Sequence, residues 1–450
     1  MAATQAHDAL ARVATQFEEF SARLNGGSAH PLHAERRRAM ERLAAKGFPS
    51  LRDEEWRFTS VQPLLDTAFI PVPAAGDVAA DLAVDASDAR IAASLAALPF
   101  LTGGAAVLVF VNGVFDATHS RQPSGLPALG IASLADRSTE AAVLAVAEAL
   151  PAESSNAFAD LNTMFLSDGA LIDVADGAVI EAPVHVVHVA VPSHLPVRAN
   201  ARVVVRCGAS AACAVTETFL SVADGAHHTN AVTQILCAEN ASLTHVRTQI
   251  ENTGTFHTST VAALLAGNAR LHTTSLALGG RLVRNDVHVR LAGEGAEATL
   301  DGLSLARGTQ HIDNHTVLDH AAAHCPSHEM YKGIYDESGR GVFSGRIIVR
   351  PGAQKTDAKQ SNDSLVLSDT ASVDTKPQLE IFADDVKCTH GATIGRLDED
   401  ALFYLRARGI SASQARTMLT VAFAGEVIGR MPEASLRTWL DALLHARLED

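Results

Sequence analysis

From about residue 169 onward the chain is a succession of short apolar alternations, and a small marker recurs between them. The marker reads Gly177-Ala178, Gly208-Ala209, Asn240-Ala241, Asn268-Ala269, Gly295-Ala296, Ala321-Ala322 and Gly352-Ala353. The interval, roughly 26–32 residues, is that of stacked structural repeats. Glycine or asparagine lets the chain turn tightly, and the alanine behind it points a small side chain inward. One such turn cannot hide its own apolar face, so successive turns must cover one another. Segments such as "ALIDVADGAVIEAPVHVVHVAV" and "ARVVVRCGASAACAVTETFLSV" alternate with period two between Gly, Asn and Asp, which is strand chemistry. No helical pattern interrupts residues 169–395, so the expected fold is mainly β, a parallel β-helix. The competing arrangement is a β-sandwich with irregular turns. Hydrophobic residues make up 47% of the chain but aromatics only 5%, and small side chains suit thin, closely layered sheets.

Helical patterns flank the repeats. Residues 5–66 read as helix, with Gly47 and Pro49 as punctuation, and 67–100 support no assignment. "AAVLVFVNGVF" predicts a hairpin around Asn112-Gly113. Residues 132–150 and 154–166 read as helix again. Near the end, Asp398 can cap one helix and Gly409 can stop it, and Ser411 with Gln414 fits a capping box. Pro432 stands near the start of a last helix striped by Leu436, Leu440, Leu443 and Leu444. The organisation expected is an N-terminal helical region (1–100), a mixed hairpin and helix connection (101–168), a β-helix core (169–397) and a C-terminal helical region (398–450). The last unit either caps the stack or docks a partner.

A net charge of −15 offers no basic surface for nucleic acid or an anionic membrane. The one basic run, Arg36-Arg37-Arg38, reads as a solvated helix face. The opening "MAATQAHDALARVATQFEEF" is amphipathic and soon acidic, unlike a secretory or transit peptide. The apolar stretch 105–111 is too short to span a bilayer. These features predict a cytoplasmic protein. Five cysteines, an odd number without a Cys-x-x-Cys pair, argue against a disulfide framework.

The densest candidate chemistry is "DDVKCTHGATIG", residues 384–395. On a strand, Cys388 and His390 project to one side, about 7 Å apart. That suits two ligands of one metal or cluster, or a thiolate beside an imidazole. Clusters and zinc normally take about four ligands, so partners must come from elsewhere in the chain or from a second subunit. The alternative is a packed thiol and a hydrogen-bonded core histidine. "HIDNHTVLDHAAAHCPSHEM" carries His311, His315, His320, His324, Cys325 and His328, but its spacings match no metal pattern and read as polar capping of solenoid rungs. His227 and His228 are expected to face solvent. No phosphate loop, dinucleotide fingerprint or nucleophile elbow occurs. Any nucleotide hydrolysis that drives this protein must therefore sit on another subunit. An enzymatic alternative is a β-helix hydrolase or lyase acting on polysaccharide, which would need clustered carboxylates on one face. No such pair can be singled out.

The runs "HIDNHT", "GVFSGRI", "AQKTDAKQSNDSLVLSD", "VDTKPQLEIFADDVKCTHGATIG", "DEDALFYLRARGI" and "VAFAGEVI" resemble the SufD family, scaffold subunits of the SufBCD iron–sulfur cluster assembly complex. "GFPSLRDEEWRFT" and "LNTMFLSDGALIDVADGAVIEAPVHV" are similar to it more weakly, and residues 67–130 carry little. The resemblance implies a right-handed parallel β-helix with helical regions at both ends, and a non-enzymatic scaffold. It implies a complex with one SufB and two SufC ATPase subunits. SufC would dock on the C-terminal helical region and SufB on the end of the β-helix, and a chain without SufB could pair with itself. A transient iron–sulfur cluster would form at the SufB boundary, where the motif histidine falls on His390 and the accompanying cysteine on Cys388. SufB itself carries a cluster-linked cysteine where this chain has Asn362, and glutamates where it reads "KCTHGA", so the likeness favours SufD. The family's complex also brings in FADH2, for which no residue here marks a site.

Overall fold

A computed structural model of the chain describes residues 2–23, 31–72, 88–122, 126–135, 156–193 and 195–449. The repeats form a β-solenoid of about eight turns, each coil giving one strand to each of two facing sheets. The first sheet contains β4 (Leu129–Ser133), β5 (Ala170–Val174), β7 (Val197–Cys207), β9 (His227–Cys237) and β11 (Thr255–Leu265). It continues through β13 (Leu282–Leu291), β15 (His311–His320), β17 (Arg340–Val349) and β19 (Ser372–Ile381), and the short β1 (Ile70–Pro71) joins β7. The second sheet begins with β3 (Val114–Phe115), β2 (Ala106–Val111), β6 (Val184–Ala190), β8 (Ala212–Ser221) and β10 (Ser242–Gln249). It ends with β12 (Arg270–Ala277), β14 (Glu297–Ala306), β16 (Pro326–Tyr335), β18 (Asp357–Val366) and β20 (Lys387–Gly395).

In-register parallel pairing stacks like residues on like. One interior column of the first sheet runs Ile172, Val205, Ile235, Ala263, Val289, Leu318, Ile347 and Leu379, one residue per coil. These side chains belong to a single apolar core between the sheets. Burial of this ladder is the main stabilising term, since each coil offers little area alone.

The corners repeat as well. Gly177, Ser210, Asn240, Asn268, Gly295, His324 and Lys355 all adopt left-handed backbone, with φ between 55° and 72°. Each donates its backbone N–H to a carbonyl of the following corner: to Ala209, Glu239, Gly267, Glu294, Ala323, Gln354 and Asp385 respectively. The residue after each of the last six is buried: Ala211, Ala241, Ala269, Ala296, Cys325 and Thr356. Three of the seven expected markers therefore shift by two or three residues, to Ser210-Ala211, His324-Cys325 and Lys355-Thr356. The inter-coil hydrogen bond and the small buried follower fix the corner, and they offset the penalty of a left-handed non-glycine residue.

The two ends of the stack differ. At the beginning, β3 pairs antiparallel with β2, and β4 antiparallel with β5. The β2–β3 turn is the expected hairpin, with Asn112 at φ 50° and Gly113 at φ 84°. At the other end β19 and β20 pair on one side only, to β17 and β18.

Helices cover the outer faces. α1 (Ala2–Arg23), α2 (Pro31–Lys46), α3 (Gln62–Leu65), α4 (Asp88–Ala96) and α5 (Ala157–Met164) lie on the N-terminal side. Within the helical reading of 5–66, punctuated at Gly47 and Pro49, the described residues form α1 and α2, then a 3-10 turn at Glu54–Trp56 and the single turn α3; 24–30 fall outside the described residues. Gly47, at φ 74°, ends α2. The helix expected at 154–166 is α5, capped by Asn156; most of the one expected at 132–150 falls outside the described residues. Phe17, Phe48, Trp56, Phe69, Phe158 and Phe165 pack with Phe256 and Leu282 of the first sheet. Arg36 is buried rather than solvated, because its guanidinium reaches the Leu166 carbonyl just past α5; Arg37 and Arg38 are exposed.

After β20 come α6 (Glu399–Arg406), α7 (Ala412–Ile428) and α8 (Ala434–Glu449). Asp398 caps α6, Gly409 at φ 86° follows it, and Ser411 with Gln414 forms the capping box of α7. Leu436, Leu440 and Leu444 are buried, in one cluster with Leu276, Leu303 and Ile334 of the second sheet. α6 has no buried residue, and Phe403 and Tyr404 are exposed. Among the described residues no helix is long and apolar enough to cross a membrane.

Candidate functional site

β20 is the final strand, and its position follows from the corner beneath it. Asp385 accepts the Lys355 backbone N–H at 2.7 Å and pairs with the Lys355 ammonium. Lys387 N–H reaches the Thr356 carbonyl at 2.8 Å, which sets the register, and Thr393 donates to Asp363 at 2.5 Å. Cys388 then lies over Ala358, and His390 over Gln360. Ala358 and Gln360 are both buried inside the solenoid, and like-registered residues share a face. Cys388 and His390 therefore face the interior side together, as the alternation predicts. Cys388 is half-buried against the apolar core and His390 is exposed, because no further coil covers them.

The two groups differ in readiness. Burial pushes the Cys388 thiol above its ordinary value, only partly offset by the Ala358 backbone N–H. The imidazole of His390, by contrast, is exposed at the open end. The other four cysteines are free thiols and buried. Among the described residues no three His, Cys, Asp or Glu side chains gather closely enough to hold a metal ion. The site offers two donors facing an open end.

The mouth of the solenoid has an apolar rim. Ile381, Phe382 and Ile394 are exposed around the outermost strands. β19 and β20 also present main-chain donors and acceptors without a neighbouring strand, a ready template for pairing.

The other histidines go elsewhere. His311 hydrogen-bonds Thr59 at 2.8 Å, His315 sits between Asp313 and Glu55, and His320 bonds Ser327 at 3.0 Å. His311 and His315 share the face that meets Glu55 and Thr59, and His320 lies on the other. Burial and the Arg284 guanidinium push His315 down, but the carboxylates of Asp313 and Glu55 outweigh them and hold it above its ordinary value. The hydrogen bond from His315 in turn holds Glu55 down to about 2 against its burial. His227 and His228 are buried, not solvent-facing. Asn112 approaches His227, and His228 is roofed by Phe69 and Phe158 and bonded to Thr258 at 2.9 Å.

One set of residues near the candidate site is invisible to local pattern. The column that ends in His390 reads, from the first coils, Val184, Val215, His245, Thr273, Leu300, Glu329, Gln360 and His390. The only signal for Glu329 and Gln360 is their separation from His390 by whole repeats. Burial raises the Glu329 carboxyl to about 7. From β5 to β20 each strand runs through a corner into another strand, so these coils contain no strand–glycine loop–helix unit of the kind that holds a dinucleotide. No step is assigned to a flavin.

Comparison with known proteins accords with this architecture. The family described as SUF system FeS cluster assembly, SufBD core domain, matches residues 192–423, and the SufBD protein N-terminal region matches 8–186. An iron–sulfur cluster assembly SufBD family protein of Synechocystis is 32% identical over 413 residues, 89% of this chain and 88% of that protein. The iron–sulfur cluster assembly protein SufD of Escherichia coli is 31% identical over 412 residues, 91% of each chain. A chloroplastic protein of Arabidopsis thaliana is 29% identical over 425 residues, 91% of this chain and 85% of that one. The chain belongs to the SufBD family of iron–sulfur cluster assembly proteins and is SufD-like within it.

Proposed function

We propose that the chain is a scaffold, not an enzyme, on which an iron–sulfur cluster is built together with a SufB-type partner. The observation that supports this most is the placement of His390 and Cys388, facing inward on the last coil and left uncovered at the mouth of the solenoid. Two donors are about half of a cluster's ligand set, so a second polypeptide must supply the rest. The unpaired edges of β19 and β20 and the rim of Ile381, Phe382 and Ile394 suit a second β-solenoid that extends both sheets. The imidazole of His390 ligates iron through a ring-nitrogen lone pair, and Cys388 assists once it is deprotonated. The cluster is cargo: it forms there and leaves. α6, with Phe403 and Tyr404 exposed, and its neighbours α7 and α8 form the docking region of the SufC-type ATPase. Any reduced flavin acts at the level of the whole complex, without a site on this chain. In the absence of SufB the same open end pairs with a second copy.

His390→Ala in the complex co-expressed with SufB and SufC tests the reading. Loss of bound iron and sulfide, with subunit composition unchanged on size-exclusion chromatography, is the expected result. Full cluster content with an intact complex would remove His390 from the ligand set. Collapse of the complex would make it structural.

A further inference from the structure

Directly under His390 the solenoid holds a buried polar pair that no apolar core requires. Gln360 is one coil below and Glu329 two coils below, all in one interior column. Both are about 3% exposed. Gln360 Nε2 donates to Glu329 Oε2 at 2.7 Å. That leaves Gln360 Oε1, a buried carbonyl oxygen, without a partner. An orphaned buried acceptor costs about 1–3 kcal/mol; Glu329 Oε1 is unpaired too, but only Gln360 lies directly beneath the uncovered last coil.

The fold also makes room for this amide. Gly345, on the facing sheet in β17, has no Cβ where one would lie 2.3 Å from Gln360 Nε2 and 2.9 Å from its Cδ. A side chain there would evict the amide. The nitrogen and oxygen of an amide leave its carbon on different sides. With the nitrogen bound down to Glu329, the oxygen turns away from that coil. Adjacent strands lie about 4.8 Å apart, so the side chain one coil above is within reach, and in this column it is His390.

We propose that Gln360, itself anchored by Glu329, is a positioning residue for His390: its Oε1 accepts the proton of one ring nitrogen, which fixes the tautomer and turns the other nitrogen out of the mouth toward the incoming iron. Supports of this kind commonly orient metal-binding histidines, and their loss lowers metal affinity about 10–100-fold. The inference rests on the reading of His390 as a ligand, and it assigns Gln360, Glu329 and Gly345 a role that reading does not supply.

Two readouts test it. In the isolated chain, selective 15N-histidine NMR, with His390→Gln to identify the signal, reports the His390 tautomer. The native chain should show one dominant tautomer, and Gln360→Met and Gly345→Ala an averaged mixture, with melting temperature and circular dichroism checked alongside. In the co-expressed complex, Gln360→Met should lower iron and sulfide content about tenfold without altering subunit composition. The exchange variant Glu329→Gln/Gln360→Glu moves the donor to position 329 and still leaves an acceptor at position 360 facing His390, and it should restore both readouts. This exchange also covers the case in which Gln360→Met does not fold. An unchanged tautomer in Gln360→Met, or an exchange variant as poor as Gln360→Met, overturns the proposal. If the tautomer responds to Gln360→Met while His390→Ala keeps its cluster, the positioning stands and the ligand reading falls. If His390→Ala loses its cluster while Gln360→Met retains both readouts, the reverse holds.

Discussion

Replacing Leu440 by alanine isolates the attachment of the C-terminal helices from the stability of the solenoid. Leu440 is 1% exposed and packs in the cluster shared with Leu276, Leu303 and Ile334 of the second sheet. The substitution removes three side-chain carbons, about 2.4 kcal/mol at about 0.8 kcal/mol each. The residual cavity brings the total to about 3 kcal/mol, inside the 2–5 kcal/mol range of such truncations. None of this loss falls on the interior ladder, which belongs to a separate core. Local opening of α7 and α8 should then become about 150-fold more frequent, since about 1.4 kcal/mol is a factor of ten. Hydrogen exchange followed by mass spectrometry reads this directly. Peptides from 412–449 should lose about two orders of magnitude of protection while those from β9–β13 keep theirs. A change below about fivefold in 412–449, or an equal loss in both regions, would refute the separation of the two layers. The same variant should weaken binding of a SufC-type subunit if these helices dock it.

Three further outcomes are expected. Gly295→Ala, at φ +72° with its Cβ 2.5 Å from Asn268 Oδ1, should cost about 1–2 kcal/mol in denaturant unfolding, whereas Gly352→Ala, with open space around it, should be neutral or slightly stabilising. A thiol reagent such as 5,5′-dithiobis(2-nitrobenzoate) should modify one cysteine of the native chain, Cys388, and all five after denaturation, because the other four are buried; a second fast native thiol would contradict the placement. Attachment of the Glu54–Trp56 turn should be strongest between about pH 4.5 and 6.5. The depressed Glu55 contributes above its ordinary value of 4.5 and is lost as pH falls toward about 2, and the raised His315 contributes below 6.5 and is lost as pH rises through its folded value. Glu55 is 48% exposed, so the effect is about 1 kcal/mol or less, readable as hydrogen exchange around Trp56; a flat profile from pH 4 to 9 would count against it.

The solenoid was legible because its cause is local and repeated: a tight corner followed by a small inward side chain. The corners at Ser210, His324 and Lys355 escaped that pattern because a serine, histidine or lysine can take left-handed backbone when the next coil supplies a hydrogen bond. That bond comes from about 30 residues away. Arg36, His227 and His228 were misread for the same kind of reason. Their burial is imposed by partners the chain brings from far off, Leu166 just past α5 for Arg36, Phe69 and Phe158 for His228 and Asn112 for His227, whereas local composition shows only polar residues. Cys388 and His390 share a face by simple alternation, so their common direction could be read from three letters. Gln360 and Glu329 could not, since only the exact pairing of β16, β18 and β20 puts them in the His390 column.

The unequal termini of the stack have a consequence for numbers. A rod that could adhere at both ends would add copies without limit and grow into a fibre. Here β3 and β4 run antiparallel to their neighbours, so the edge of the first coil does not continue the parallel stack, whereas β19 and β20 end it in parallel register. Two short segments of reversed strand thereby bias any end-to-end union toward a pair rather than a fibre.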